Sequence, residues 1–176
     1  MTTKEIKELL KNIKVGKKDG VASPHKFLLL LSIVTLIEYN HNRKNRFPYK
    51  EIEPIFISLV RNFLPQTPYY STALQYPFSH LRNDGFWFWK VKEAQMDLYK
   101  KYVASNMRFT EKRILQTVDY GYLSEKVFNL LKNIDGRNAL KTEIHKWLTK
   151  NTVPELVNDG SKIINEQASL YEHEQV

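Results

Sequence analysis

The chain has 176 residues, the size of one globular domain, and its 42% hydrophobic and 12% aromatic content suits a packed core and not a disordered chain. It has no cysteine, which excludes disulfides, thiolate metal sites and cysteine nucleophiles. Its net charge of +8 is unevenly spread: residues 151–176 set Lys162 against Glu155, Asp159, Glu166, Glu172 and Glu174, a net of −4 that leaves +12 on residues 1–150, and such a balance points to a polyanionic partner.

Lys4 to Val15 places Ile6, Leu9, Leu10 and Ile13 on one stripe, the period of a helix, with Thr3 as its cap. Its interleaved lysines leave no continuous apolar run, so it does not read as a signal peptide. Gly16 to Gly20 is a basic loop bounded by glycines. Ser23-Pro24 opens a second helix, Ser as N-cap and Pro in the first turn. From Phe27 to Ile37 this helix is apolar almost all round, which predicts a central buried helix. The run is far shorter than the ~20 residues that span a bilayer. With its basic balance and no membrane-spanning run, the chain reads as a soluble, cytoplasmic, nucleoid-associated protein with no membrane partner.

Asn40 to Pro48 is a basic loop with Arg43, Lys44 and Arg46. A third helix starts at Tyr49 or Lys50 and runs to about Phe63, burying Ile52, Ile55, Phe56, Leu59 and Val60. Leu64 to Gln75 is a loop with Pro65 and Pro68. Asn83-Asp84-Gly85 is a turn signal, and the aromatic run Phe86 to Trp89 reads as a strand, so a β-hairpin is expected across that turn. Beyond Asp97 the pattern is helical again. Helices are expected at Ser124 to Asn133 and Asn138 to Lys150, separated at Gly136. The predicted fold is a mainly α single domain with a short β-hairpin, an α+β arrangement like a winged helix-turn-helix. Residues 1–150 would form the DNA-binding domain and 151–176 an acidic C-terminal helix or tail.

Enzyme motifs are not found. Asp84 has no acid two residues before Lys90, as a metal-dependent nuclease of the acid-x-Lys type requires. Glu5-Ile6-Lys7 has that spelling but lies on a terminal helix with no upstream Asp. The histidines His25, His41, His80, His145 and His173 are scattered, and no phosphate-binding glycine loop or nucleophile elbow occurs. No catalytic residue, metal ligand or cofactor is assigned.

Two segments stand apart: Ser23-Pro24-His25-Lys26 followed by the apolar helix, and Tyr76-Pro77-Phe78-Ser79-His80-Leu81-Arg82-Asn83-Asp84-Gly85-Phe86-Trp87. A basic pair in the first turn of a helix is unfavourable beside the positive helix end unless an anion docks there. Together the segments resemble the sulfur-binding domain, which reads phosphorothioated DNA in type IV restriction endonucleases of the HNH class. The resemblance implies that Tyr76, Pro77 and His80 line an apolar pocket for sulfur; His80 stands where some members carry Ala. It also implies that His25 and Lys26 face the DNA backbone. Lys17, Lys18, Ser79, Arg82 and Arg108 are further DNA-binding candidates. The implied partner is double-stranded DNA carrying phosphorothioate linkages, with a nuclease supplied by a longer parent chain or a second protein. A different reading is a winged-helix transcription regulator on unmodified DNA. Its recognition helix, from Lys50 to Phe63, would turn Glu51 and Glu53 toward phosphates, which argues against it.

Overall fold

The computed structural model describes residues 3–18, 20–64 and 71–151. Its elements in order are α1 (Thr3–Lys11), β1 (Lys17–Lys18), β2 (Val21–Ala22), α2 (His25–Tyr39), α3 (Tyr49–Phe63), α4 (Gln75–His80), a 3-10 turn (Leu81–Asp84), β3 (Trp87–Val91), a 3-10 turn (Glu93–Gln95), α5 (Met96–Ala104), α6 (Glu111–Thr117), β4 (Val118–Leu123), α7 (Glu125–Lys132) and α8 (Ile134–Asn151). The mainly helical, α+β expectation holds. The acidic segment beyond Asn151 and the prolines at 65 and 68 lie outside the described residues.

The apolar α2 is the centre of the core, buried from Phe27 to Glu38. An all-round apolar helix must be wrapped, and α3, α4, α7 and α8 pack around it while α1 lies on α8. The two hydroxyls inside it, Ser32 and Thr35, donate to the carbonyls of Leu28 and Leu31 at 2.8 Å, so neither is left unsatisfied. Glu38, near its end, meets Lys141 at 2.5 Å and Arg137 at 3.6 Å. Arg137 also donates to the carbonyls of Leu131 and Lys132 at 3.0 Å. This buried charged cluster joins α2, α7 and α8.

Several boundaries differ from the sequence reading. Thr3 is the first residue of α1 rather than its cap, and α1 ends at Lys11. Ser23 does not cap α2: Pro24 holds that position with no side-chain cap bond, and the Ser23 hydroxyl goes to the His25 ring at 2.7 Å. Gly136 lies within α8 instead of separating two helices.

The hairpin across Asn83-Asp84-Gly85 is the main correction. Residues 75–84 form one helical rod, α4 running into a 3-10 turn, and Gly85 ends it in the left-handed region at φ 85°. Glycine adopts that conformation without a Cβ penalty, so it serves here as a helix stop. The aromatic run is a strand, but its antiparallel partner is β4, with Trp87 opposite Leu123 and Trp89 opposite Gly121. No wing is therefore formed by residues 76–92. The only tight hairpin among the described residues is β1–β2, pairing Lys17 with Ala22 and Lys18 with Val21.

β4 went unread because Gly121 interrupts its apolar alternation. A Cβ on Gly121 would lie 2.1 Å from the fully buried Trp87 ring. The other side of Gly121 is held by Phe47, whose N–H donates to its carbonyl at 2.8 Å. Neither neighbour can yield cheaply. Gly121→Ala is expected to destabilise the fold by about 3 kcal/mol, the upper end of overpacking losses. A urea melt checks this, and a loss under about 1 kcal/mol would show that the indole can move aside.

Candidate functional site

The rod of residues 75–84 is anchored by its inner face. Phe78 and Leu81 are fully buried, and Pro77 is buried beside them. The indole N–H groups of Trp87 and Trp89 both donate to the Phe78 carbonyl, at 2.9 and 3.1 Å. The Phe78 ring stacks on Trp89 and meets Tyr49 and Trp87 edge-on. With that face fixed, residues one helical turn apart on the other side turn outward. Tyr76 is 41% exposed, and its ring centre is 6.4 Å from that of His80.

Tyr76, Pro77 and His80 form one wall of a cleft of about 480 Å³. Its other lining comes from Lys14 to Lys17, Val21 and Ser23, from His25 and Lys26 in the first turn of α2, and from Ser71 and Ala73. Two stretches far apart in sequence, 14–26 and 71–80, thus meet, and six of the sequence-derived candidates lie on one surface: Lys17, His25, Lys26, Tyr76, Pro77 and His80. Lys18 is the second residue of strand β1.

His25 is held at both ring nitrogens. A carbonyl can only accept, so Nε2–H donates to the Ser71 carbonyl at 2.8 Å and Nδ1 accepts from the Ser23 hydroxyl at 2.7 Å. Burial lowers its proton affinity, and the Ser71 carbonyl offsets this only in part. Lys26 is also engaged: its ammonium donates to the Asp84 carboxylate at 2.6 Å and to the Lys14 carbonyl at 2.7 Å. The other Asp84 oxygen accepts the Lys14 N–H at 2.8 Å. His80 is exposed at the cleft. Its pKa is lowered by partial burial, then by the positive charges of Lys26, Arg82 and Arg108. Arg108 therefore stands near enough to act on the same surface.

Arg82 and Ser79 lie outside the cleft lining. The Arg82 guanidinium rests 3.5 Å above the Trp89 ring and donates to the Ser79 carbonyl and hydroxyl and to the Tyr99 hydroxyl. That geometry braces the rod against β3 and α5.

The sequence reading took Asp84 for a turn residue and passed over Lys14, Ser71 and Ala73. Only one local signal pointed to Asp84. An acid at the last position of a helical segment faces the negative end of the helix dipole, just as Lys26 faces a positive one. Each misplaced charge is satisfied by the other, across 58 residues of sequence.

A helical domain that turns a basic cleft with an aromatic wall to solvent is suited to holding a polyanion, and it defines a nucleic-acid recognition module. The family model of the ScoMcrA-like DNA sulfur-binding domain matches residues 3–158, and the chain belongs to that family. It is thus a DNA-binding domain of the phosphorothioate-restriction class. No curated protein matches the chain. Among the described residues no helix is long and apolar enough to cross a membrane.

Proposed function

We propose that the cleft takes the sulfur of a phosphorothioate linkage in double-stranded DNA. Tyr76, Pro77 and His80 form the wall that sulfur touches, and Lys17, Lys18 and Arg108 attract the flanking phosphates. His25 stands beside the backbone of the modified strand, Lys26 lies at the same edge of the cleft with its charge held by Asp84, and Arg82 and Ser79 set the rod from below. One observation carries the reading: residues that the family resemblance assigns to sulfur and to the backbone line a single cleft, although they come from separate segments.

The chemistry follows from the two atoms being compared. Sulfur is larger, more polarizable and less strongly hydrated than oxygen. A phosphate oxygen pressed against a Tyr edge and a Pro ring sheds water and gains no hydrogen bond, whereas sulfur loses less and gains dispersion. Both walls are stiff, so little side-chain entropy is lost. Discrimination of about 1–3 kcal/mol is the scale of one such contact. The chain acts as the recognition part of a restriction system, and cleavage belongs to a nuclease domain or partner.

The test is titration of one short duplex, with and without a single phosphorothioate of defined stereochemistry, at about 0.15 M salt. Several core sequences are compared. Modified DNA should bind at least about tenfold tighter in a permissive core. Equal binding in every core would reject sulfur reading and favour a regulator of ordinary DNA.

Acid should strengthen binding. His80 is uncharged near neutrality because its pKa lies below the usual value. Phosphates entering the cleft oppose the surrounding cations and raise that pKa, so DNA binding takes up a proton as the pH falls. Affinity should rise from pH 7.5 to 5.5, by about tenfold per unit of pKa increase. His80→Ala should flatten the profile, and an unaltered profile would place the titrating group elsewhere.

A further inference from the structure

We propose that Asp84 sets the specificity of the cleft by holding the charge of Lys26 away from ordinary phosphate, an inference that rests on the sulfur reading above. The Asp84 side chain is 1% exposed and that of Lys26 14%. One Asp84 oxygen receives the Lys26 ammonium and the other the Lys14 N–H, while Lys26 also reaches the Lys14 carbonyl. The three residues close a ring. Two of the three ammonium donors are committed inside the protein, and the carboxylate that commits them is too buried to swing away.

Lys26 nevertheless lines the same cleft as Tyr76, Pro77 and His80. An anion arriving there meets a pair of zero net charge, not a lone cation. A phosphate oxygen gives up tightly bound water on entering an apolar wall, and a nearby ammonium is the group that would compensate it. With Lys26 engaged by Asp84, the loss stands uncompensated. Sulfur, weakly hydrated, has less need of that ammonium. Asp84 also ends the rod that carries the wall, so one residue fixes both the wall and the lysine that must not reach across to it. Asp84 is a positioning residue whose effect falls on the competitor, ordinary DNA.

Asp84→Asn keeps the shape and removes the charge. The variant should bind the unmodified duplex about 5- to 10-fold tighter at 0.15 M salt, as Lys26 gains a phosphate. The slope of log affinity against log salt should steepen by about 0.9, the signature of one added phosphate contact. The phosphorothioate duplex should gain less than about threefold, so the preference shrinks. Lys26→Gln combined with Asp84→Asn should restore wild-type affinity and slope on unmodified DNA, because a neutral pair replaces a pair without net charge. This double variant leaves no unpaired charge buried, so it decides the matter even where the single variant fails to fold.

Proportional weakening on both duplexes in Asp84→Asn, or an unchanged salt slope, would overturn the proposal and leave Asp84 a structural brace. A slope shallower by about 0.9 in the double variant would also overturn it, by showing that Lys26 already serves DNA in the wild type. Failure of the wild type to distinguish the two duplexes would sink the sulfur reading alone. The slopes on unmodified DNA would still report whether Asp84 holds the lysine charge.

Discussion

Tyr76→Ala and Pro77→Ala are each expected to bring the affinities for phosphorothioate and ordinary duplexes to within about threefold of one another, from a wild-type gap of tenfold or more. The loss should fall on the modified duplex. On the proposed reading ordinary DNA is held by charges on the rim, which neither substitution removes. The fold should survive the Tyr76 change, because that ring is half in solvent and the rod is anchored by Phe78, Leu81 and the two indoles. Pro77 is buried, so its variant needs a melting curve beside the titration. A circular-dichroism spectrum like that of the wild type, with the sulfur preference gone, places the pocket. A preference of tenfold or more kept by both variants would mean that sulfur is read elsewhere.

Arg137→Leu should cost as much stability as Gly121→Ala. The side chain is 4% exposed and supplies two hydrogen bonds to the end of α7 as well as a charge for Glu38. Removing one partner from a buried charged cluster costs about 3–5 kcal/mol. Two details set the expectation at the lower end, about 3 kcal/mol. Arg137 stands 3.6 Å from Glu38 whereas Lys141 makes the direct contact, and the Arg137 Nε–H has no acceptor, so its removal relieves an unsatisfied donor. Urea denaturation measures the loss. A change below about 1 kcal/mol would show that Lys141 alone balances the buried carboxylate.

The legible part of the fold was whatever local pattern decides. The run from Phe27 to Ile37 could only be a wrapped helix, and the stripes of α3 and α7 follow the helical period. The rod of residues 75–84 was misread because Asn-Asp-Gly stops a helix as readily as it turns a hairpin, and the choice depends on what the flanking aromatics meet. They meet β4, and no local signal marks that pairing. The site divides in the same way. Its wall and its basic pair were legible in the two long motifs. That Lys26 faces Asp84 was not, since a contact across 58 residues leaves only two charges oddly placed on their helices. Arg108, distant in sequence from both motifs, is brought by the fold near enough to His80 for its charge to act there.

The loop before α3 has a consequence for how copies of this domain live side by side. Asn45 donates to the Leu123 carbonyl and accepts its N–H, and Phe47 exchanges both backbone bonds with Gly121. Those groups would otherwise lie on the free margin of a two-stranded sheet, where an unpaired ladder invites a second chain to add a strand. Asn45 imitates a peptide unit and fills the gap from within the same molecule. Copies of this domain crowded at high local concentration thus meet a module whose sheet is closed to its neighbours at this margin, a safeguard against aggregation written into a loop that otherwise looks like a mere connection.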